Sequence, residues 1–120
     1  TKLLFKLMAN TFLNAKSDLT TTNLTTVYTV PSATTAVIKS ILVSEDAGSG
    51  TTIDVTLVDA SGTIFNLFKA KAVGSNTTVE LLTQPLILKE SEALKAQAAD
   101  ANELHVVASI LEVKPREVVT

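Results

Sequence analysis

Residues 25–44, which read TTVYTVPSATTAVIKSILVS, decide the fold of this 120-residue chain. β-Branched residues dominate the stretch, and branching at Cβ favours an extended backbone because it restricts χ1. Pro31 has no N–H to donate to a strand ladder, so it separates one strand, residues 25–30, from a second, residues 35–44. We expect the two strands to form the first strand pair of a β-sandwich.

The second of these strands carries apolar side chains on both faces. Simple alternation divides them between the faces, with Ile38 and Leu42 on one and Val37, Ile41 and Val43 on the other. A strand with a single buried face would alternate apolar with polar residues instead. One face is therefore expected to fill the core. The other either contacts a partner or is covered by the protein's own loops.

Further strands follow at short intervals along the chain. Residues 51–59 show the clearest alternation of apolar and polar side chains. Gly62 can adopt a positive φ and closes a predicted hairpin that leads to residues 63–69, another segment with apolar residues on both faces. The remaining predicted strands are residues 77–82, 86–88 and 103–113.

The segment at residues 92–99 is ambiguous between helix and strand. Glu, Ala, Leu, Lys and Gln are all good helix formers, so propensity alone favours a helix. The apolar residues fit neither period firmly, and a short strand agrees better with the spacing of the surrounding strands. We favour the strand and keep the helix as the alternative.

Strands that recur about every eight to twelve residues indicate a sandwich or a jelly roll. We predict an all-β, single-domain, jelly-roll-like β-sandwich with an extended N-terminal arm and a short C-terminal tail. The arm and a loop occupy residues 1–23, with the strand-like part ending near residue 12. The sandwich occupies residues 24–114. The tail occupies residues 115–120, since Pro115 is expected to end the last strand.

Composition excludes several classes of function. Cysteine is absent, which removes disulfides, thiolate metal sites and cysteine nucleophiles. The net charge is −2 and the basic residues are scattered, so no concentrated patch is available for nucleic acid. The longest apolar run is far below the roughly 20 residues that span a bilayer. We expect neither a nucleic-acid partner nor a membrane partner.

The residues also offer little catalytic equipment. His105 is the single histidine, and its apolar sequence neighbours favour a structural or surface role. Carboxylates such as Glu45, Asp46 and Asp54 lie near turns or strand edges, where turn chemistry explains them better than calcium binding does. No phosphate loop or nucleophile motif is present. We predict no enzyme activity, no cofactor and no metal site.

Seven short segments carry a resemblance to known proteins: MANTF (residues 8–12), TTVYTVP (25–31), TTAV (34–37), VTLVD (55–59), VELL (79–82), PLIL (85–88) and VVASILE (106–112). Through them the sequence resembles small virion structural proteins of tailed bacteriophages, notably marine and cyanobacterial phages, over most of the chain from Met8 onward. This resemblance implies a component of the phage particle. Taken with the two-faced strands and the extended termini, it predicts a location on the head surface.

The two-faced strands, the extended termini and this resemblance together predict a capsid decoration or cement protein. It would bind the major capsid protein, or another virion protein, and form a homo-oligomer. A neck, tail or fibre adaptor is the alternative; a carbohydrate-binding module is disfavoured because aromatic residues are scarce. Under this hypothesis Ile41→Lys would leave the fold intact and abolish association. The candidate interface residues are Leu4, Phe5, Val37, Ile41, Val43, Ile64 and Phe68.

Overall fold

The structure is a computed structural model that describes the backbone of residues 4–119 and the side chains of residues 9–115. The described part contains no helix, and so none that could cross a membrane. It consists of nine strands: β1 (Leu4–Leu19), β2 (Thr25–Thr29), β3 (Thr35–Glu45), β4 (Thr51–Val58), β5 (Ile64–Val73), β6 (Thr78–Glu80), β7 (Leu86–Leu88), β8 (Ala93–Ala98) and β9 (Leu104–Val119).

The strands form two antiparallel sheets that pack face to face. Sheet A has the order β1-β9-β3-β6, with β7 also paired to β3, and sheet B has the order β2-β8-β4-β5. Because β6 and β7 both pair with β3, at different positions along it, they are two pieces of one interrupted strand. Two four-stranded layers of this kind make a jelly roll. The predicted all-β, jelly-roll-like sandwich is confirmed.

Inward-facing side chains from both sheets build one hydrophobic core. Alternate residues of β9 point into it, as the sequence predicts, and β8 and β4 supply the opposite wall. The strand predicted at residues 92–99 is confirmed as β8, because its alternate alanines pack into this core and its helix propensity is overridden. The core side chains with almost no exposure include Ile38, Ile41, Val43, Ile53, Val55, Leu88, Leu94, Leu104, Val106 and Ile110.

The prediction that the two strands of residues 25–44 pair with each other is wrong. β2 belongs to sheet B and pairs with β8, whereas β3 belongs to sheet A. The connection between them crosses from one sheet to the other, so that Tyr28 and Val30 enter the core from one side and Ala36 enters it from the other. Beyond Pro31, the buried Thr34 starts the return into sheet A.

A β-bulge in β3 changes which side chains face the core. The register against β9 shifts between Ile38 and Ser40, so Lys39 has no partner residue. One extra residue reverses the alternation beyond it. Ile38 and Ile41 therefore lie on the same, buried face, and Leu42 points outward.

Backbone hydrogen bonds define the direction of each residue in sheet A. The Leu81 N–H donates to the Ile41 carbonyl, and the Glu45 N–H donates to the Thr77 carbonyl. The backbone N–H and C=O groups of Ile41 and Glu45 in β3 are therefore directed away from β9. Antiparallel pairs alternate between bonded and non-bonded positions. It follows that even-numbered residues of β9, such as Ala108, bond to β1, and that odd-numbered ones bond to β3.

Two predicted boundaries in the termini are wrong. Residues 13–19 are strand, not loop, because β1 stays paired with β9 up to Leu19 and turns Leu13 and Ala15 towards the core. β9 also continues past Pro115 to Val119. Odd-numbered residues of β9, such as Pro115, direct their backbone nitrogen towards β3 rather than β1. Because β3 ends opposite Val113, the missing N–H of Pro115 costs the sheet no hydrogen bond.

The ends of β1 and β9 pair with each other beyond the sandwich. β3 contacts β9 only as far as Val113, whereas the β1–β9 pairing continues to Leu4 and Val119. The result is a two-stranded ribbon, and the molecule measures 66 Å in its longest dimension against 27 and 23 Å in the others. Residues 4–9 of the predicted N-terminal arm form one strand of this ribbon, and residues 1–3 lie outside the described residues.

Candidate functional site

The seven predicted interface residues do not come together on one surface. Ile41 and Val43 are fully buried in the core, because the bulge at Lys39 turns them inward. The prediction that they are available to a partner is wrong. Val37 does lie on the outer face of sheet A, half-buried among its neighbours.

The other four lie elsewhere. Ile64 is exposed and Phe68 is half-buried, but both belong to β5, at the edge of sheet B. Leu4 and Phe5 lie in the ribbon part of β1, and their side chains fall outside the described residues. Sequence reasoning therefore located one residue, Val37, of the surface described next.

The outer face of sheet A carries two groups of apolar side chains, which together we call the outer patch. The first is a cross-strand row over four strands, with Phe12 opposite Leu111, Leu111 opposite Val37, and Val37 opposite Ile87. Cross-strand neighbours of this kind lie about 5 Å apart, so the row is contiguous. The second is the pair Val107 and Leu42, which lies further along the same face beyond a polar row of Asn14, Ser109 and Ser40. The outer patch consists of Phe12, Val37, Leu42, Ile87, Val107 and Leu111.

Much of the outer patch is open to solvent. Phe12 is 73% exposed and Ile87 is 51% exposed, and Leu42 and Val107 exceed one third. No described loop covers the face. Singly exposed apolar residues are ordinary, but a contiguous apolar face on a protein surface marks an interaction site.

The outer face of sheet B provides the contrast. Its equivalent cross-strand row is polar throughout, with Thr26 opposite Lys95, Lys95 opposite Thr56, and Thr56 opposite Asn66. Asp54 and Gln97 form a further polar pair on the same face. This face also carries an apolar row, with Ile64 opposite Val58 and Val58 opposite Ala93. The two outer faces therefore differ in degree, because only the row on sheet A spans four strands and includes an exposed aromatic ring.

A shallow depression lies within the outer patch beside the bulge. Its volume is about 330 Å³, and its lining includes Phe12, Ser109 and Lys39. The Lys39 ammonium lies 5.7 Å from the centre of the Phe12 ring, within the range of a cation–π contact. Lys39, the unpaired residue of the bulge, thus extends over the surface next to Phe12, the most exposed aromatic ring among the described side chains.

Charged groups border the patch at the far end of the same face. His105 lies between two carboxylates, with its Nε2 3.3 Å from Asp18 Oδ1 and its Nδ1 3.5 Å from Asp46 Oδ2. All three side chains are substantially exposed, so these pairs add little to stability. Among the described side chains, those of residues 9–115, no group of three or more His, Asp or Glu is arranged to hold a metal ion.

Glu45 organises the loops at this end of the sandwich. Its carboxylate accepts hydrogen bonds of 2.8–3.0 Å from the N–H groups of Gly48, Ser49, Gly50 and Asn76. These bonds, that of Asn76 foremost, lower the pKa of Glu45 from 4.5 to about 2, although burial opposes the change. The predicted turn role of this carboxylate is confirmed, and the Glu45 side chain is almost completely buried.

A buried polar contact joins the two sheets at the opposite end. The Tyr28 hydroxyl on β2 donates a 2.5 Å hydrogen bond to Glu112 Oε2 on β9, and Lys114 Nζ lies 3.8 Å from the other carboxylate oxygen. Burial, and then the bond to Glu112, raises the pKa of Tyr28. Because both groups are buried and paired, their role is to fix how the sheets pack.

Comparison with known proteins gives a fold but no family. No protein-family model matches the chain, and no curated protein matches it in sequence. A chain of the acid-stable capsid of Helicobacter pylori bacteriophage KHP30 has a similar structure, with a TM-score of 0.54 and 14% identity over 98% of both chains. The two chains share the fold over essentially their whole lengths.

Two further solved structures are similar at lower scores. One is a disulfide-linked pilus of Bacillus endospore appendages, with a TM-score of 0.49 and 10% identity over 95% of this chain and 90% of that one. The other is a pentameric capsid protein from metagenomic phage sequences, with a TM-score of 0.46 and 19% identity over 88% of this chain and 61% of that one.

Sequence reasoning missed most of the outer patch, although one signal for it was present. Val107 and Leu111 alternate with the core residues Val106 and Ile110, so β9 is apolar on both faces, as β3 is. Two neighbouring strands with this property indicate an apolar outer face. Phe12 could not be assigned to this face, because the sequence does not show that its segment pairs with β9.

Proposed function

We propose that this chain is a non-enzymatic structural protein of a phage virion that decorates or cements the capsid, with the outer patch as its docking surface. The observation that carries the proposal is the exposed apolar row that crosses four strands on the outer face of sheet A, from Phe12 to Ile87. A surface with no convergent catalytic groups acts through buried area and shape complementarity.

Two further observations support the proposal. The fold is shared over its full length with a chain of a phage capsid. The seven short segments from MANTF (residues 8–12) to VVASILE (106–112) resemble small virion proteins of tailed phages. The partner in this proposal is the major capsid protein, and the location is the head surface.

A capsid also suits the modest size of the patch. A few half-exposed apolar side chains give a weak single contact, since association costs several kcal/mol before any gain appears. Symmetric repetition of the contact around a shell, and oligomerisation of the protein, let weak contacts act together.

The binding test uses capsids purified without this protein and measures how much added protein sediments with them. Ile87→Glu places a charge in the outer patch at a position that is already 51% exposed and lies opposite the uncharged Val37, so the fold is retained. We expect binding to weaken at least about tenfold, because a single well-placed interface residue is often worth more than 1 kcal/mol. Thr26→Glu, on the polar outer face of sheet B, is the matched control and should bind like the wild type.

Wild-type binding by a folded Ile87→Glu variant would refute the outer patch as the docking surface. Copy number separates the decoration role from that of a neck, tail or fibre adaptor. Quantitative mass spectrometry of purified virions should find hundreds of copies per particle for a head protein, whereas an adaptor ring contains far fewer.

A further inference from the structure

Three of the four sheet edges carry features that prevent pairing with another chain. β5 has two register shifts, a positive φ of 50° at Ala70, and two lysines. β2 is five residues long, contains a bulge and is followed by Pro31. The β6–β7 edge is broken into two three-residue pieces. Short, bulged, charged or proline-bearing edges are the usual means of blocking strand addition.

The fourth edge, that of β1, also carries two lysines, Lys6 and Lys16, but it is neither short, bulged nor interrupted. β1 is 16 residues long, and its register with β9 is continuous from Leu4 to Leu19 with no bulge. Its sequence contains neither proline nor glycine. On its other side it pairs with no strand of the described chain. A long, regular, open edge is a template for another strand.

The hydrogen-bonding groups of this edge can be assigned. Because even-numbered residues of β9 bond to β1, their partners on β1 are the odd-numbered residues, for example Ala15 opposite Ala108. The even-numbered residues of β1 therefore direct N–H and C=O outward, at Asn10, Phe12, Asn14 and Lys16. These backbone groups are available to a neighbouring strand.

We infer that a second copy of this chain pairs antiparallel along β1, across a two-fold axis at Phe12. A two-fold axis perpendicular to the sheet at Phe12 places two copies of β1 side by side and antiparallel. The outward N–H and C=O groups of one copy then lie opposite those of the other, so each β1 strand can bond to its symmetry mate. In this register Phe12 lies opposite Phe12 of the second copy, and Asn10 lies opposite Asn14 of the second copy. About ten backbone hydrogen bonds form at the junction.

Phe12 is the observation that selects a second copy as the occupant. Its 73% exposure is the largest among the exposed large apolar side chains of the described chain. It also terminates the apolar row at the open edge, where a neighbour is missing on one side. Pairing of two β1 strands continues the row from Phe12 into its symmetry mate and places the two outer patches on one continuous sheet. This inference does not depend on the virion role.

The first test measures molar mass by light scattering after size-exclusion chromatography. We expect the wild type to have twice the chain mass of 12.7 kDa. Asn14→Pro removes one outward N–H and leaves the bonds to β9 intact, so it should give a folded monomer. Thr11→Pro is the matched control. It removes an N–H directed at β9 and should lower the thermal stability strongly.

The second test does not require a proline variant to fold. The chain has no cysteine, so a single introduced thiol reports only on contacts between copies. Paired residues in a bonded antiparallel position have Cα atoms about 5.5 Å apart, within the range of a disulfide. Phe12→Cys should form a disulfide-linked dimer under mild oxidation, and Thr26→Cys on the β2 edge should remain monomeric.

Three results would overturn the inference. A wild-type protein that is monomeric at micromolar concentrations has no such pairing. A folded Asn14→Pro variant that remains dimeric uses another surface. A Phe12→Cys variant that cross-links no faster than Thr26→Cys places the β1 strands apart.

Discussion

Ile41 and Leu42 are adjacent in sequence and face opposite sides of sheet A, so substituting each tests the fold and the position of the bulge together. Ile41 has no exposed surface, whereas Leu42 is 38% exposed. Ile41→Ala removes buried methyl groups and leaves a cavity, at a cost of about 3–4 kcal/mol. Leu42→Ala removes a side chain from the surface, where no closed cavity forms, and should cost about 1 kcal/mol.

The assay is equilibrium unfolding in urea, followed by far-UV circular dichroism at one fixed protein concentration. With a urea dependence of about 2 kcal/mol per molar, Ile41→Ala should lower the midpoint by about 1.5–2 M and Leu42→Ala by about 0.5 M. Ile41→Lys should not fold, because an unpaired ammonium would be placed in the core. Equal midpoints for the two alanine variants, or a folded Ile41→Lys protein, would refute the bulge-based assignment of faces.

Three more predictions concern the bulge and the two polar contacts. Deleting Lys39 should lower the free energy of unfolding by less than about 2 kcal/mol, because Ile38 and Ile41 remain on the same face. Deleting Leu42 should prevent folding, because it turns Val43 and Glu45 outward. Circular dichroism distinguishes the folded variant from the unfolded one. Tyr28→Phe should cost about 1–3 kcal/mol in urea unfolding, since Glu112 Oε2 loses its buried partner; an unchanged midpoint would contradict this contact. Glu45 has a folded-state pKa of about 2, lowered from 4.5, so its stabilisation is complete above pH 4.5 and is lost as the pH falls towards 2. Urea midpoints of wild type and Glu45→Gln should therefore differ most near neutral pH and converge below pH 3, and a difference that is independent of pH would show that the charge of Glu45 is not responsible.

The elements that depend on local pattern could be predicted from sequence. The alternation of Leu104, Val106, Ala108 and Ile110 gave the inward face of β9, and the turn closed by Gly62 gave the hairpin between β4 and β5. Gly62 adopts the positive φ of 91° that the turn requires. In each case the information lies within a few residues of the element itself.

The features that depend on distant partners could not be predicted. Lys39 looks like any exposed strand residue, and only the pairing with β9 shows that it is unmatched and reverses the faces of Ile41 and Leu42. Residues 13–19 resemble a loop in composition, and they form a strand because β9 extends alongside them. Glu45 reads as a turn residue, but one of its donors, Asn76, is 31 positions away. Long-range pairing decides all three.

The measurement that tests the proposed function most directly is a cryo-electron microscopy reconstruction of the phage particle that is proposed to contain this chain. The proposal predicts jelly-roll density on the outside of the head, with the outer patch of sheet A against the major capsid protein and the polar face of sheet B towards solvent. Density confined to the neck, tail or fibres, or a head protein that contacts the shell through sheet B, would contradict it.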